Sequence, residues 1–121
     1  MIRIRYIVNN VDEAVKFYTS NLYFELLEQY GTAVAILERE GVQLIVSSPK
    51  ASASRPMPDG TTPSPGGWAR FQIVVDDIQS EVSRLKKRDV QFKHDIIESG
   101  ERKQVLCLDP SGNIVELFQT A

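Results

Sequence analysis

The stretch Val75-Asp76-Asp77-Ile78 repeats, class for class, the stretch Val8-Asn9-Asn10-Val11 that stands 67 positions earlier. In each copy a valine closes an alternating run, an Asn or Asp that can cap a helix follows, and a branched hydrophobe opens a helical stripe. Upstream of the first copy, Ile2 to Val8 sets Ile4, Tyr6 and Val8 against Arg3, Arg5 and Ile7, the period of a two-faced strand. Downstream, Val11, Ala14, Val15, Tyr18 and Leu22 recur at helical spacing, and Asn10 with Glu13 forms a capping-box-like pair. Three extended runs follow, Phe24 to Tyr30, Thr32 to Leu37 and Val42 to Ser47, punctuated by Gly31 and Glu40-Gly41.

The second copy extends in the same way. Trp68 to Val75 reads as its strand, Asp77 as its cap, and Ile78, Val82 and Leu85 as its helical stripe, with Val82 falling on Val15 at the same offset. Three strands are expected again, Val90 to Ile97, Lys103 to Leu108 and Asn113 to Gln119, with turns at Ser99-Gly100 and Asp109-Pro110-Ser111-Gly112. The order strand, helix, strand, strand, strand, given twice, predicts an α+β fold of two βαβββ modules. The period is too long for a solenoid and points to duplication inside one domain. Module one covers residues 1–48, module two residues 68–121, and residues 49–67 form a linker rich in Pro, Ser, Gly, Ala and Thr without periodicity. A stretch of that kind serves as a spacer or as a lid over a site.

Composition narrows the function classes. The 121 residues suffice for one ordinary domain, and 14 basic against 16 acidic residues are scattered without a cationic stripe, so neither nucleic acid nor a membrane surface is an expected partner. Met1-Ile2-Arg3-Ile4-Arg5 alternates charge with hydrophobe, and no apolar run approaches the roughly 18 residues that span a bilayer. A cytoplasmic location is expected. Cys107 is the only cysteine, which leaves no internal disulfide and reads as a small buried hydrophobe in its strand.

The two modules, with Phe17-Tyr18 late in the first helix and Asp109-Pro110-Ser111-Gly112-Asn113-Ile114-Val115-Glu116-Leu117 near the end, resemble the vicinal oxygen chelate superfamily. That group holds glyoxalase I, extradiol dioxygenases, fosfomycin-resistance enzymes and bleomycin-binding proteins. The resemblance covers essentially the whole chain. It implies that each module curls its sheet into a half-barrel, that paired modules enclose a cavity, and that the chain is a homodimer. In metal-dependent members each module contributes a ligand from its first strand, usually His or Gln, and one from its last strand, usually Glu. Carried over residue by residue, the first-strand positions fall on Arg3 and Arg70 and the last-strand positions on Gln43 and Glu116. Guanidinium has no lone pair to donate and stays charged, so the expectation is no metal and no cofactor.

Alternation then proposes what shares the inner face. With Arg3 and Arg70 inward, Arg5, Ile7, Trp68, Gln72 and Val74 join them, as do Gln43, Ile45, Ser47, Ile114, Glu116 and Phe118 from the closing strands, while Tyr6, Val8, Phe71, Ile73 and Val75 pack on the helices. The ligand-binding candidates are Arg3, Arg5, Gln43, Trp68, Arg70, Gln72, Glu116 and Phe118. Arg70 and Glu116 should meet as a charge-assisted pair, either as a structural ion pair or with an arginine fork left for a ligand oxygen. A wall of three arginines against one glutamate argues against a cationic drug such as bleomycin. His94, the sole histidine, shares a face with Val90, Phe92 and Ile96 and is either a partly buried structural residue or a base; His94 and Glu116 are the catalytic candidates. Two functions follow: a metal-free protein that holds a small organic ligand such as an antibiotic, toxin or aromatic metabolite, or a lyase, isomerase or dioxygenase-type enzyme of the same superfamily.

Overall fold

The computed structural model describes residues 1–120, which divide into two compact units, Met1–Gly66 and the described residues from Gly67 onward. In the first unit the elements are β1 (Arg3–Ile7), α1 (Val11–Asn21), β2 (Glu25–Tyr30), β3 (Val34–Arg39) and β4 (Val42–Ser47). They form a sheet of order β1-β4-β3-β2, in which β1 runs parallel to β4 and the other pairs are antiparallel. The parallel pair follows from the helix between β1 and β2, since a short turn cannot join parallel strands. α1 begins where Asn10 Oδ1 accepts from the Glu13 backbone N–H at 2.9 Å, and its stripe of Val11, Ala14, Phe17 and Tyr18 is buried against the sheet with Val8, Ala35, Leu37, Leu44 and Val46. Glu40 and Gly41 both adopt positive φ, 51° and 80°, the paired left-handed conformation of a two-residue hairpin joining Arg39 to its partner Val42.

In the second unit the elements are β5 (Phe71–Val74), α2 (Ile78–Lys87), β6 (Gln91–Phe92), β7 (Ile97–Ser99), β8 (Arg102–Leu108) and β9 (Ile114–Gln119). The sheet order is β5-β9-β8-β6, with β7 also on β8, and β5 is parallel to β9. The capping is repeated: Asp77 Oδ1 accepts from the Ser80 backbone N–H at 3.1 Å, and Ile78, Val82 and Leu85 are buried together with Val105, Cys107, Val115 and Leu117. The α+β reading and the two βαβββ modules hold.

Three expectations are corrected. The expected continuous strand from Val90 to Ile97 is broken into β6 and β7. Phe92 pairs with Cys107 and Ile97 with Gln104, so one strand advances five residues while its partner advances three, and the surplus bends out at Lys93 to Asp95. Alternating Phe, His and Ile cannot reveal such an insertion. The expected strand start at Trp68 also fails: β5 begins at Phe71, opposite Val115, and in that register Trp68 and Ala69 lie beyond Ile114, the first residue of β9. Within 49–67, finally, Ser52–Ser54 forms a 3-10 turn, with Ala51 and Ser54 buried and Ser54 Oγ donating to the Ser48 carbonyl at 2.7 Å, so the start of the linker is folded onto the first unit.

Candidate functional site

In the first unit β1 and β4 lie side by side in register, Arg3 opposite Gln43, Arg5 opposite Ile45 and Ile7 opposite Ser47. The residues expected to share a face do so. Arg3 Nε donates to Gln43 Oε1 at 2.9 Å, and Arg5 Nη1 donates to Ser47 Oγ at 2.7 Å. The face continues onto β3 and β2 through the pairs Ile45 with Ile36, Gln43 with Glu38, Ile36 with Glu28 and Val34 with Tyr30. Three acids, Glu25, Glu28 and Glu38, the first opposite the last, therefore join a wall that alternation had given none in this module. The Tyr30 hydroxyl donates to Glu28 Oε2 at 2.7 Å, and that hydrogen bond holds its pKa above the ordinary phenol value, with the Arg3 charge acting in the opposite direction.

The second unit builds its counterpart from β5 and β9. Glu116 is buried, and both its carboxylate oxygens are engaged: Oε1 accepts from Arg70 Nε at 2.9 Å and Oε2 accepts from Gln72 Nε2 at 2.6 Å. The ion pair expected between Arg70 and Glu116 is present, and Arg70 Nη1 also reaches back to the Trp68 carbonyl at 3.1 Å. Trp68 is 68% exposed, with Lys93 Nζ 5.0 Å from its ring centroid, so one aromatic face carries a cation–π contact. Phe118 is half-buried and lines a small hollow of about 250 Å³ with Ile97, Ser99, Arg102 and Gln104.

The backbone register changes one correspondence between the modules. Val8 N–H donates to the Ser47 carbonyl as Val75 N–H donates to that of Phe118, and Arg5 lies opposite Ile45 as Gln72 lies opposite Glu116. The equivalent of Glu116 in module one is thus Ile45, two residues beyond Gln43. The positions where metal-dependent members carry ligands hold two guanidinium groups, an aliphatic side chain and a carboxylate already held at both oxygens. A zinc, nickel or iron site needs at least three protein donors with free lone pairs, and these residues do not fit one. Among the described residues, no three His, Cys, Asp or Glu side chains come together in a metal-binding group.

His94 is not brought to the Glu116 group. It lines a groove of about 320 Å³ with Ile78, Val82 and Lys86 of α2 and with Ile96, Glu98 and Lys103. On β9, by contrast, Val115, Leu117 and Gln119 belong to the α2 side, Gln119 Oε1 accepting the Ile78 N–H at 2.8 Å, and alternation turns Glu116 the other way. His94 Nδ1 sits 2.6 Å from the Asp95 carbonyl oxygen, to which it must donate, so in the neutral ring Nε2 is the basic nitrogen.

The Asp109 to Asn113 stretch, a turn in the sequence and part of the motif that carries the resemblance, is a small buried network. Asp109 Oδ1 accepts from the backbone N–H groups of Ser111 and Asn113, both at 2.9 Å, and its Oδ2 accepts from Asn113 Nδ2 at 3.0 Å. Gly112 turns through φ of 88°, a conformation that disfavours a side chain. The Asp-Pro-Ser-Gly-Asn stretch is therefore a self-satisfied loop that launches β9 and sets the height of Glu116 along it.

Comparison with known proteins accords with this geometry. The chain is similar to a lactoylglutathione lyase from Agrobacterium tumefaciens, at 18% identity, TM-score 0.76, with 98% of this chain and 92% of that one covered. It is similar to an antibiotic binding protein from a Streptomyces species, at 22% identity, TM-score 0.72, covering 98% and 93%. A member of the same superfamily from Sphaerobacter thermophilus superimposes at 22% identity and TM-score 0.75, covering 97% and 94%. None of the curated proteins matches by sequence. At these identities the structures share a fold, while the family assignment rests on the sequence itself, whose residues 1–117 match a single superfamily. The chain belongs to the Glyoxalase/Bleomycin resistance protein/Dioxygenase superfamily.

Proposed function

We propose that this protein binds a small organic molecule without a metal and without turning it over, sequestering an antibiotic, a toxin or an aromatic metabolite. One observation carries the reading: at the positions that would ligate a cation, Arg70 and Gln72 occupy both oxygens of Glu116, and Arg3 stands on the first strand of the other module. What remains suits recognition in each unit taken by itself: Arg3, Arg5 and Gln43 supply donors beside Ile45 in the first, and Gln72 lies beside exposed Trp68 and half-buried Phe118 in the second, each a mixture of polar and apolar groups of the kind that lines small-molecule sites. The antibiotic binding protein of the same fold supports this reading, and the lactoylglutathione lyase supports the other.

The proposal includes a homodimer, since the edge strand β2 leaves Leu26 and Leu27 exposed, and Tyr23 lies exposed just before it. It includes a cytoplasmic location, with which the single buried thiol of Cys107 agrees; no helix among the described residues is long and apolar enough to cross a membrane. The two modules are read as halves of one domain joined by residues 49–67. A thermal-shift screen over aromatic natural products and antibiotics tests the function, because a ligand at 100 times its Kd stabilises the fold by about 2.7 kcal/mol. Each hit is recovered and weighed by mass spectrometry, and the protein is analysed for metals. An unaltered hit and a metal-free protein are expected. A chemically converted hit, or near one zinc, nickel, manganese or iron per chain, overturns the proposal. The enzyme reading would then rest on His94, whose basic Nε2 belongs to a groove large enough for a small substrate.

A further inference from the structure

The two modules orient their first-strand arginines by the same device and leave them in different states of charge. Arg3 Nε donates at 2.9 Å to a side chain on β4, parallel to its own strand, and Arg70 Nε, from the residue just before β5, donates at 2.9 Å to one on β9. For Arg70 the acceptor is the carboxylate of Glu116, which cancels its charge. For Arg3 it is the amide oxygen of Gln43, and for Arg5 the hydroxyl of Ser47. A neutral acceptor fixes the direction of a guanidinium and leaves its full positive charge available. Neither Arg3 nor Arg5 has an ion-pair partner among the described residues, and their remaining N–H groups have no protein acceptor there. Both arginines are exposed, two residues apart on one edge strand and so about 7 Å apart along it.

The acids on this face do not neutralise them. Glu38 lies on β3, two strand spacings or roughly 10 Å from β1, which is about one screening length at physiological salt. Glu25 and Glu28 are one strand farther away, and Glu28 is engaged by the Tyr30 hydroxyl. Between Arg5 and Glu28 the surface is apolar. Ile45 stands opposite Arg5 and Ile36 opposite Ile45, while Tyr30 closes the far edge at 55% exposure.

We infer that the Arg3 and Arg5 face of the first unit recognises an oxyanion, and that the protein's ligand is an aromatic carboxylate. Its carboxylate bridges the two guanidinium groups while its ring lies over Ile45, Ile36 and Tyr30. The identity of the ligand class rests on the binding function proposed above. Arg70 takes no part in anion recognition, because Glu116 already fills that role.

The matched pair 2-naphthoate and 2-naphthamide, equal in shape and different in charge, tests the inference by calorimetry and by NMR of the arginine Nε–H groups. Naphthoate should bind at least tenfold tighter than the amide at low salt and lose that preference as salt rises. Arg3→Gln and Arg5→Gln should each weaken naphthoate about tenfold and leave the amide unchanged, and Arg3→Lys should fall between. The Nε–H signals of Arg3 and Arg5 should move on titration while that of Arg70 stays. Both positions are exposed, so the variants should melt with the parent, which a thermal scan checks. Equal affinity for acid and amide overturns the anion assignment and leaves the binding function standing. Naphthoate binding indifferent to both substitutions overturns it as well, and so does binding of neither probe at millimolar concentration, while the thermal-shift screen decides the binding function.

Discussion

Removing the Glu116 carboxylate tests whether the Arg70 pair holds the second module together. The Glu116 side chain is 9% exposed and that of Arg70 30%, with Nε to Oε1 at 2.9 Å. Breaking a fully buried pair costs about 3–5 kcal/mol, because one charge is left without a partner in a poorly solvated place, whereas a solvated pair is worth about 0–1 kcal/mol. Arg70 lies between these limits, since water can reclaim part of its guanidinium and its bond to the Trp68 carbonyl survives. Gln72 is exposed and rehydrates readily once its acceptor is gone. Glu116→Ala is therefore expected to cost about 2–3 kcal/mol, which in a domain of this size lowers Tm by roughly 8–15 °C. Glu116→Gln, which keeps an acceptor and removes the charge, should cost about half as much. The double change Arg70→Met with Glu116→Leu replaces the pair by apolar volume and should restore at least half the loss. Urea unfolding monitored by circular dichroism measures all three. If Glu116→Ala shifts stability by less than about 0.5 kcal/mol, the two side chains do not depend on each other in solution and the reasoning fails.

Other consequences are testable in the same preparations. Asp109→Ala removes the acceptor of three hydrogen bonds in a buried loop, each worth about 0.5–1.5 kcal/mol, and should lower stability by about 2–3 kcal/mol in urea titrations. The backbone and hydroxyl groups of Ser80 hold the Asp77 carboxyl below its ordinary pKa, so its contribution is present above the unfolded-state value and is lost as pH falls through the folded one. Acidification from pH 5 to pH 3 should therefore lower the Tm of the parent more steeply than that of Asp77→Asn. Burial pushes the Cys107 thiol up to about 12, so iodoacetamide at pH 8 should leave the native protein unmodified and alkylate it only in urea. Trp68→Ala should leave Tm nearly unchanged, since the ring is mostly exposed, while weakening any ligand that stacks on it.

The fold was legible because its two decisive features are local. Asn10 and Asp77 cap helices through the third helical residue, a contact set by spacing alone, and the stripes that follow them bury on schedule. The glycine turns at Gly31 and Gly41 likewise mark hairpins that need positive φ. What could not be read depends on the partner strand. Whether Lys93 to Asp95 continue a strand is decided by how many residues β8 provides opposite them, and whether Trp68 belongs to β5 by where β9 begins. Residue pattern carries no record of a partner's length.

The same limit explains the one displaced correspondence at the site. A fixed offset aligns Arg3 with Arg70 correctly, since strand and helix are continuous in both modules. Between first and last strands the spacing differs: Arg5 pairs with Ile45 forty residues on, whereas Gln72 pairs with Glu116 forty-four residues on. Gln43 stands two positions before the residue that backbone pairing sets opposite Arg5. The displacement alters the chemistry. With Ile45 as the true counterpart, the first module has no carboxylate on the strand beside its arginines, and Gln43, directly opposite Arg3, serves as an uncharged acceptor. The charge that Glu116 cancels in one module is therefore left open in the other, so the arginine that looks redundant in sequence is the one free to meet an anion.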